Sequence, residues 1–175
     1  MYDQTLLVWP DGRARDMAIL RSRAYESWPL FLGGSLGSTD RYNIDSCVET
    51  FPSRIHIPGS TIVADAALRY DAHRTHVMAA RNEGLTTVYN RFHNPADTAT
   101  DIQQLRNLHA AMDRAVLDAY GWADLAPEAE FISEFDEDDI EPGTRARRKY
   151  RLRWPDDQRD EVLARLLELN RMRST

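Results

Sequence analysis

Apolar residues recur at intervals of three and four along three long stretches, which predicts three long helices over residues 60–84, 100–120 and 155–173. In the first, Ile62 or Val63, Ala66, Ala67, Tyr70, Val77 and Ala80 or Arg81 form one stripe, and Gly84 is placed as a C-terminal cap. In the second, Thr100 stands at the N-cap position, Ile102, Leu105, Leu108, Met112, Val116 and Ala119 make the stripe, and Gly121 ends it, with Trp122 and Leu125 folding back. The third opens at Trp154-Pro155-Asp156-Asp157, buries Val162, Leu163, Leu166, Leu167 and Leu169, and closes on Arg171 and Arg173, with acids at the positive end of its dipole.

The first part of the chain has shorter periods. Residues 5–9 (TLLVW) read as a strand closed by the turn Pro10-Asp11-Gly12. Asp16 can cap a helix over residues 16–28 with Met17, Leu20, Ala24 and Trp28 on one face, and Pro29 stops it. Residues 31–40 (FLGGSLGSTD) read as a glycine-rich loop, and Ile55 and Ile57 as an extended arm ending at Pro58-Gly59. Residues 85–95 (LTTVYNRFHNP) form an aromatic-bearing connector that stops at Asn94-Pro95. Eight acids between Glu128 and Glu141 face six basic residues between Arg145 and Arg153 across Pro142-Gly143, which predicts a charged hairpin or loop at 126–153. The expected fold is mainly α: a packed tail of three long helices with a small mixed α/β N-terminal part.

Composition narrows the class. A chain of 175 residues, 42% hydrophobic and 29% charged, fits one folded unit with arms. The lone Cys47 excludes an internal disulfide framework or a zinc-ribbon spacing and suits a reducing, cytoplasmic setting. No apolar run reaches the length of a membrane span, so a membrane partner is not expected. Formal net charge is −6, with the acidic excess in residues 96–175, which argues against nonspecific coating of nucleic acid. Any DNA contact should be local. Of 22 basic residues only Lys149 is lysine; arginine suits bidentate phosphate or guanine contact, and a GC-rich coding sequence produces the same bias.

Most candidate chemistry has a plainer structural reading. Gly33 and Gly34 lack the lysine of a phosphate-binding loop, and no dinucleotide fingerprint is present. His73 and His76 share a helix face but lack a placed carboxylate to complete a metal site, and the run Asp136-Glu137-Asp138-Asp139 reads as a solvated loop rather than a nuclease centre. Cys47, beside Asp45 and Glu49, is a core cysteine rather than a nucleophile. Asn90, Arg91, His93 and Asn94 lie beside Tyr89 and Phe92, a mixture suited to DNA contact and equally to packing a connector between helices.

Several segments in order resemble one family. "RYNIDSCVETFP", "ARNEGLTTVYNRFHNP", "LRNLHAAMDRAVLDAYGW" and "RDEVLARLLELN" are similar to the C-terminal region of large bacterial N6-adenine DNA methyltransferases of restriction-modification and phage-defence systems, including the fused type IIG enzymes. The resemblance implies that residues 1–59 are the end of a target-recognition domain, that residues 60–175 are a helical tail, and that "CVETFP" joins them, with Phe51 and Pro52 anchoring the crossing. Val48 stands where the family has Phe, and Ser53-Arg54 where it has Phe-Pro.

Neither an Asn-Pro-Pro-Tyr/Phe motif nor a glycine-rich S-adenosylmethionine segment is present, so no catalytic or cofactor-binding residue is assigned; S-adenosylmethionine is expected only for a complete methyltransferase. The resemblance implies a noncatalytic DNA-recognition or docking portion that positions DNA or the catalytic body. Arg41, Asn43, Arg54, Arg91 and His93 are its DNA contacts, and the 33–40 loop is its groove-reaching tip. The competing expectation is a protein-interaction subunit of a defence complex that binds a methyltransferase or another partner through its helical or acidic surface. An independent metal-dependent hydrolase lacks a visible site, and exposed apolar surface on the N-terminal part would favour a homodimer.

Overall fold

A computed structural model describes residues 14–32, 35–36, 39–40, 47–48, 50–52, 60–134 and 150–173. The fold is mainly α. In chain order the elements are α1 (Ala14–Arg21), α2 (Arg23–Leu32), β1 (Ser35–Leu36), β2 (Thr39–Asp40), α3 (Ser60–Arg81), α4 (Leu85–Phe92), α5 (Thr100–Ala119), β3 (Glu130–Ser133), β4 (Tyr150–Arg153) and α6 (Asp156–Arg173). α3 lies between α1 and α5, while α2 packs on α6. The strands form two separate antiparallel pairs, β1 with β2 and β3 with β4. The predicted strand at 5–9, the extended arm at 55–57 and the tip of the charged hairpin lie outside the described residues.

The three long helices form where the spacing places them, but their ends differ. α3 stops at Arg81, and Asn82, at φ 51, takes the left-handed position expected of Gly84. The Asn82 and Glu83 N–H groups donate to Ala79 O and Met78 O, a Schellman closure. Gly84, in extended conformation, is instead the N-cap of α4. α5 has Ala99 at its N-cap with no side-chain cap, so Thr100 does not cap it. Gly121, at φ 80, ends α5 as expected: its N–H donates to Asp118 O, and that of Trp122 to Leu117 O.

Four other expectations need correction. Of the loop expected over 31–40, residues 31–32 belong to α2, and Ser35 and Leu36 pair with Asp40 and Thr39 as β1 and β2. The single helix over 16–28 is two helices broken at Ser22, whose Oγ donates to Ile19 O at 2.7 Å and accepts the Tyr25 N–H at 3.3 Å, ending one helix and starting the next. Pro29 lies inside α2 rather than at its end; it forgoes one helical hydrogen bond and leaves the helix to run on to Leu32. Residues 85–92 are helical rather than an open connector. β-branched Thr86, Thr87 and Val88 mask the signal, but Val88 and Phe92, one turn apart, bury the inner face.

One apolar core joins α1 and α2 to α3, α5 and α6. Ile19, Ala24 and Trp28 from α1 and α2 pack with Phe51, with Val63 and Ala67 of α3, with Met112 and Val116 of α5, and with Val162 and Leu166 of α6. Phe51 meets Tyr25 and Trp28 edge-on, at ring-centroid distances of 4.9 and 5.8 Å. Its carbonyl accepts from Arg173 at 3.0 Å, so Phe51 is held between α2 and the last turn of α6. A second cluster, with Val77, Val88, Phe92, Ile102, Leu105 and Leu152, lies beneath α4 and the β3–β4 pair. Met112→Ala removes a fully buried side chain of the first core and should cost about 2–5 kcal/mol in urea denaturation. Leu68→Ala, at a position 56% exposed, should stay within about 0.5 kcal/mol of the parent.

Candidate functional site

The site is built around Asp113, on the core side of α5 between Met112 and Val116. Its Oδ1 accepts the Arg23 backbone N–H at 2.9 Å, satisfying an otherwise unpaired donor in the first turn of α2. Its Oδ2 accepts from Arg23 Nη1 at 2.5 Å, and both side chains are only 4% exposed. His109, one turn earlier on α5, brings Nδ1 within 3.2 Å of the same Oδ2 and 3.0 Å of Arg23 Nη1, closing a triangle. Burial opposes the charge on Asp113, but His109 and Arg23 outweigh it, and the carboxyl is held below its ordinary range. The rest of the Arg23 guanidinium donates through Nε and Nη2 to Leu152 O of β4, both at 3.2 Å. One buried ion pair therefore ties together α2, α5 and β4.

His93 sits across Leu152 from this pair. Its Nδ1 accepts the Leu152 N–H at 2.9 Å, so the ring is neutral with its proton on Nε2. Burial, reinforced by the charges of Arg151 and Arg23, pushes its pKa down to about 3. Tyr89 and Phe92 meet the ring edge-on, at centroid distances of 4.4 and 4.9 Å, and Phe92 also packs on His109 at 5.4 Å. Tyr70 of α3 completes the array, edge-on to His109 at 5.3 Å.

These rings line a cavity of about 390 Å³, with Glu26 of α2 on its wall. Arg23 and Leu152 also line a second cavity, of about 460 Å³, on their other side. The guanidiniums facing that second space have internal partners. Arg106 donates to the carbonyls of Arg91, Phe92, Asn94 and Asp97, clamping the turn after α4, and lies over the Phe131 ring at 5.0 Å. Arg114 donates to Trp122 O at 3.0 Å and to Leu125 O.

Of the expected DNA contacts, Arg41, Asn43 and Arg54 lie outside the described residues. Arg91 is bidentate to Glu83, at 2.7 Å for each bond, and donates to Asp97 at 2.9 Å. His93 faces the cavity, half-buried, with Nδ1 committed to Leu152. His73 and His76 diverge: His73 Nε2 bonds to Asp101 O at 2.8 Å, whereas His76 is exposed. Among the described residues no helix is long and apolar enough to cross a membrane, and no group of three or more His, Cys, Asp or Glu is placed to hold a metal ion.

Arg23, His109 and Asp113 were not singled out in the sequence. The available signal was an acid on an apolar stripe, Asp113 between Met112 and Val116, with a histidine one turn before it. No protein-family model matches the chain, and no curated protein or solved structure shows significant similarity to it.

Asp113→Asn should cost about 3–5 kcal/mol in urea denaturation, because it leaves Arg23 buried without a counter-charge. The joint replacement Arg23→Met with Asp113→Leu should recover most of that loss. His93 stays neutral in the folded chain down to about pH 3, while an unfolded chain takes up that proton near pH 6.5. The unfolded state binds more protons between those values, so stability falls as the pH drops through that window. Urea midpoints across it should slope less steeply in His93→Asn.

Proposed function

We propose that this chain is a noncatalytic DNA-docking portion of an adenine-specific DNA methyltransferase of a restriction-modification or phage-defence system, a helical unit that positions DNA or the catalytic body. The observation that supports this reading is that the segments carrying the resemblance converge. Arg106 of "LRNLHAAMDRAV" clamps the "YNRFHNP" turn, Asp113 of the same segment holds Arg23, and Tyr120 of "AYGW" donates to Pro52 O of "CVETFP" at 3.4 Å. Residues that interlock in this way preserve a common docking geometry. DNA contact in this reading falls to Arg41, Asn43, Arg54, Arg91 and His93, in a cytoplasmic protein.

The second reading, a protein-interaction subunit, is favoured by a separate observation. Arg81, Arg91, Arg151, Arg159, Arg165 and Arg171 are each paired with carboxylates, while Ile62, Leu68 and Leu85 are 67%, 56% and 54% exposed. In that reading the partner is a methyltransferase or another defence subunit.

Titration onto labelled duplex DNA at low and moderate salt separates the two. The docking reading expects salt-sensitive binding whose log–log slope falls by roughly 0.9 for each phosphate contact removed in Arg41→Ala and Arg54→Ala. Absence of binding at low salt, together with co-purification with a separately expressed methyltransferase that Leu68→Glu abolishes, would replace it with the second reading.

A further inference from the structure

The β3–β4 pair is sealed along one edge and open along the other. Leu152 of β4 turns its N–H to His93 Nδ1 and its C=O to Arg23, both outside the pair. Residues opposite one another in an antiparallel ladder alternate between bonded and non-bonded positions, so Leu152 and its partner Phe131 form a non-hydrogen-bonded pair. The N–H and C=O of Phe131 therefore point away from β4, along the outer edge of β3, and neither has a partner among the described residues. Such an edge is a template for one more strand.

The surroundings of both faces specify that strand. On the face shared with Leu152, the cavity of about 460 Å³ lies between α5 and residues 126–129, lined on its apolar side by Ala110, Leu117, Ala129, Leu152 and Trp154. Side chains alternate along a strand, so every second residue of an added one is directed towards this space. Glu128 and Glu130 alternate with Ala129 and Phe131, are exposed, and form no ion pair with a described residue. Arg153 already stands opposite Glu130 within the hairpin, and a cation on the open side repeats that juxtaposition. The arginines bordering the cavity are committed elsewhere: Arg23 and Arg114 to Asp113 and Asp118, and Arg106 to four carbonyls after α4. A second copy of β3 would set Glu128 and Glu130 against the same acids, which disfavours it as the occupant.

We propose that the β3 edge docks an extended segment of a partner protein in which basic and apolar residues alternate, adding a third strand to the hairpin. Phe131 supplies main-chain hydrogen bonds, the apolar side chains enter the cavity, and the basic ones lie beside Glu128 and Glu130. The inference rests on neither reading of the function, because a methyltransferase body or another subunit can supply the segment.

The probe is a capped heptapeptide of alternating lysine and valine, titrated onto the full chain by fluorescence anisotropy and by amide exchange. In the free chain the Phe131 amide should exchange at least about tenfold faster than that of Ile132, which bonds within the ladder, and saturating peptide should remove the difference. N-methylation of one alternate set of peptide amides should abolish binding and that of the other set should leave it, since only one set faces β3. Glu128→Lys combined with Glu130→Lys, at exposed positions, should weaken binding by about tenfold or more, as should glutamate in place of lysine in the peptide. Ala110→Trp, which fills the cavity from an exposed position, should weaken it likewise. No saturable binding, equal binding of the glutamate peptide, or the same effect from both methylated sets would each overturn the proposal. So would a Phe131 amide as protected as that of Ile132 without peptide; if that protection grew with protein concentration, the edge would belong to a second copy.

Discussion

A charge pair taken out of water costs free energy unless every remaining donor and acceptor finds a partner, and the Arg23–Asp113 pair meets that condition. Asp113 receives a backbone N–H, a guanidinium and an imidazole, while Arg23 spends its other N–H groups on the Leu152 carbonyl. Together these bonds run between three elements, so the pair can be satisfied only when α2, α5 and β4 are all in register. Apolar packing around Trp28, Met112 and Leu166 supplies the bulk of the stability. The polar pair restricts which arrangement of that core is allowed, and Arg23 with Leu152 lies between the two cavities.

A second constraint is how the arginines are used. Arg106 spends its guanidinium on four backbone carbonyls after α4, Arg114 on those after α5, and Arg91 on Glu83 and Asp97. These are fork-shaped donors satisfying groups at helix ends, work for which lysine has the wrong geometry. The arginine bias therefore has a structural use in this fold. A phosphate approaching Arg91 would have to compete with carboxylates already in place, which gives the DNA contacts proposed at Arg41 and Arg54 the greater weight.

Much of the fold was legible in the chain because long amphipathic helices announce themselves by period. The stripes through Ile102, Leu105, Met112 and Val116, and through Val162 and Leu166, are buried as their spacing predicts. Within the expected charged hairpin or loop at 126–153, residues 130–133 and 150–153 pair as β3 and β4, and residues 135–149 between them lie outside the described residues. What escaped were local decisions made by single polar groups: Ser22 breaking a helix that the apolar spacing alone carries through, Asn82 taking the left-handed position expected of Gly84, and α4 forming despite its β-branched start. The site was less legible because it is assembled from residues 23, 93, 109, 113 and 152, whose proximity depends on tertiary packing rather than on any local motif.

The central claim is that the buried pair makes the N-terminal helices and the tail a single cooperative body. Native-state hydrogen exchange measures this directly, since amides that open together share one free energy of opening. The account predicts that the slowest amides of α2 and α5 exchange with the same opening free energy and lose protection together in Asp113→Asn. Exchange of α1 and α2 through a separate opening several-fold less costly than that of α5, unchanged by the substitution, would contradict it.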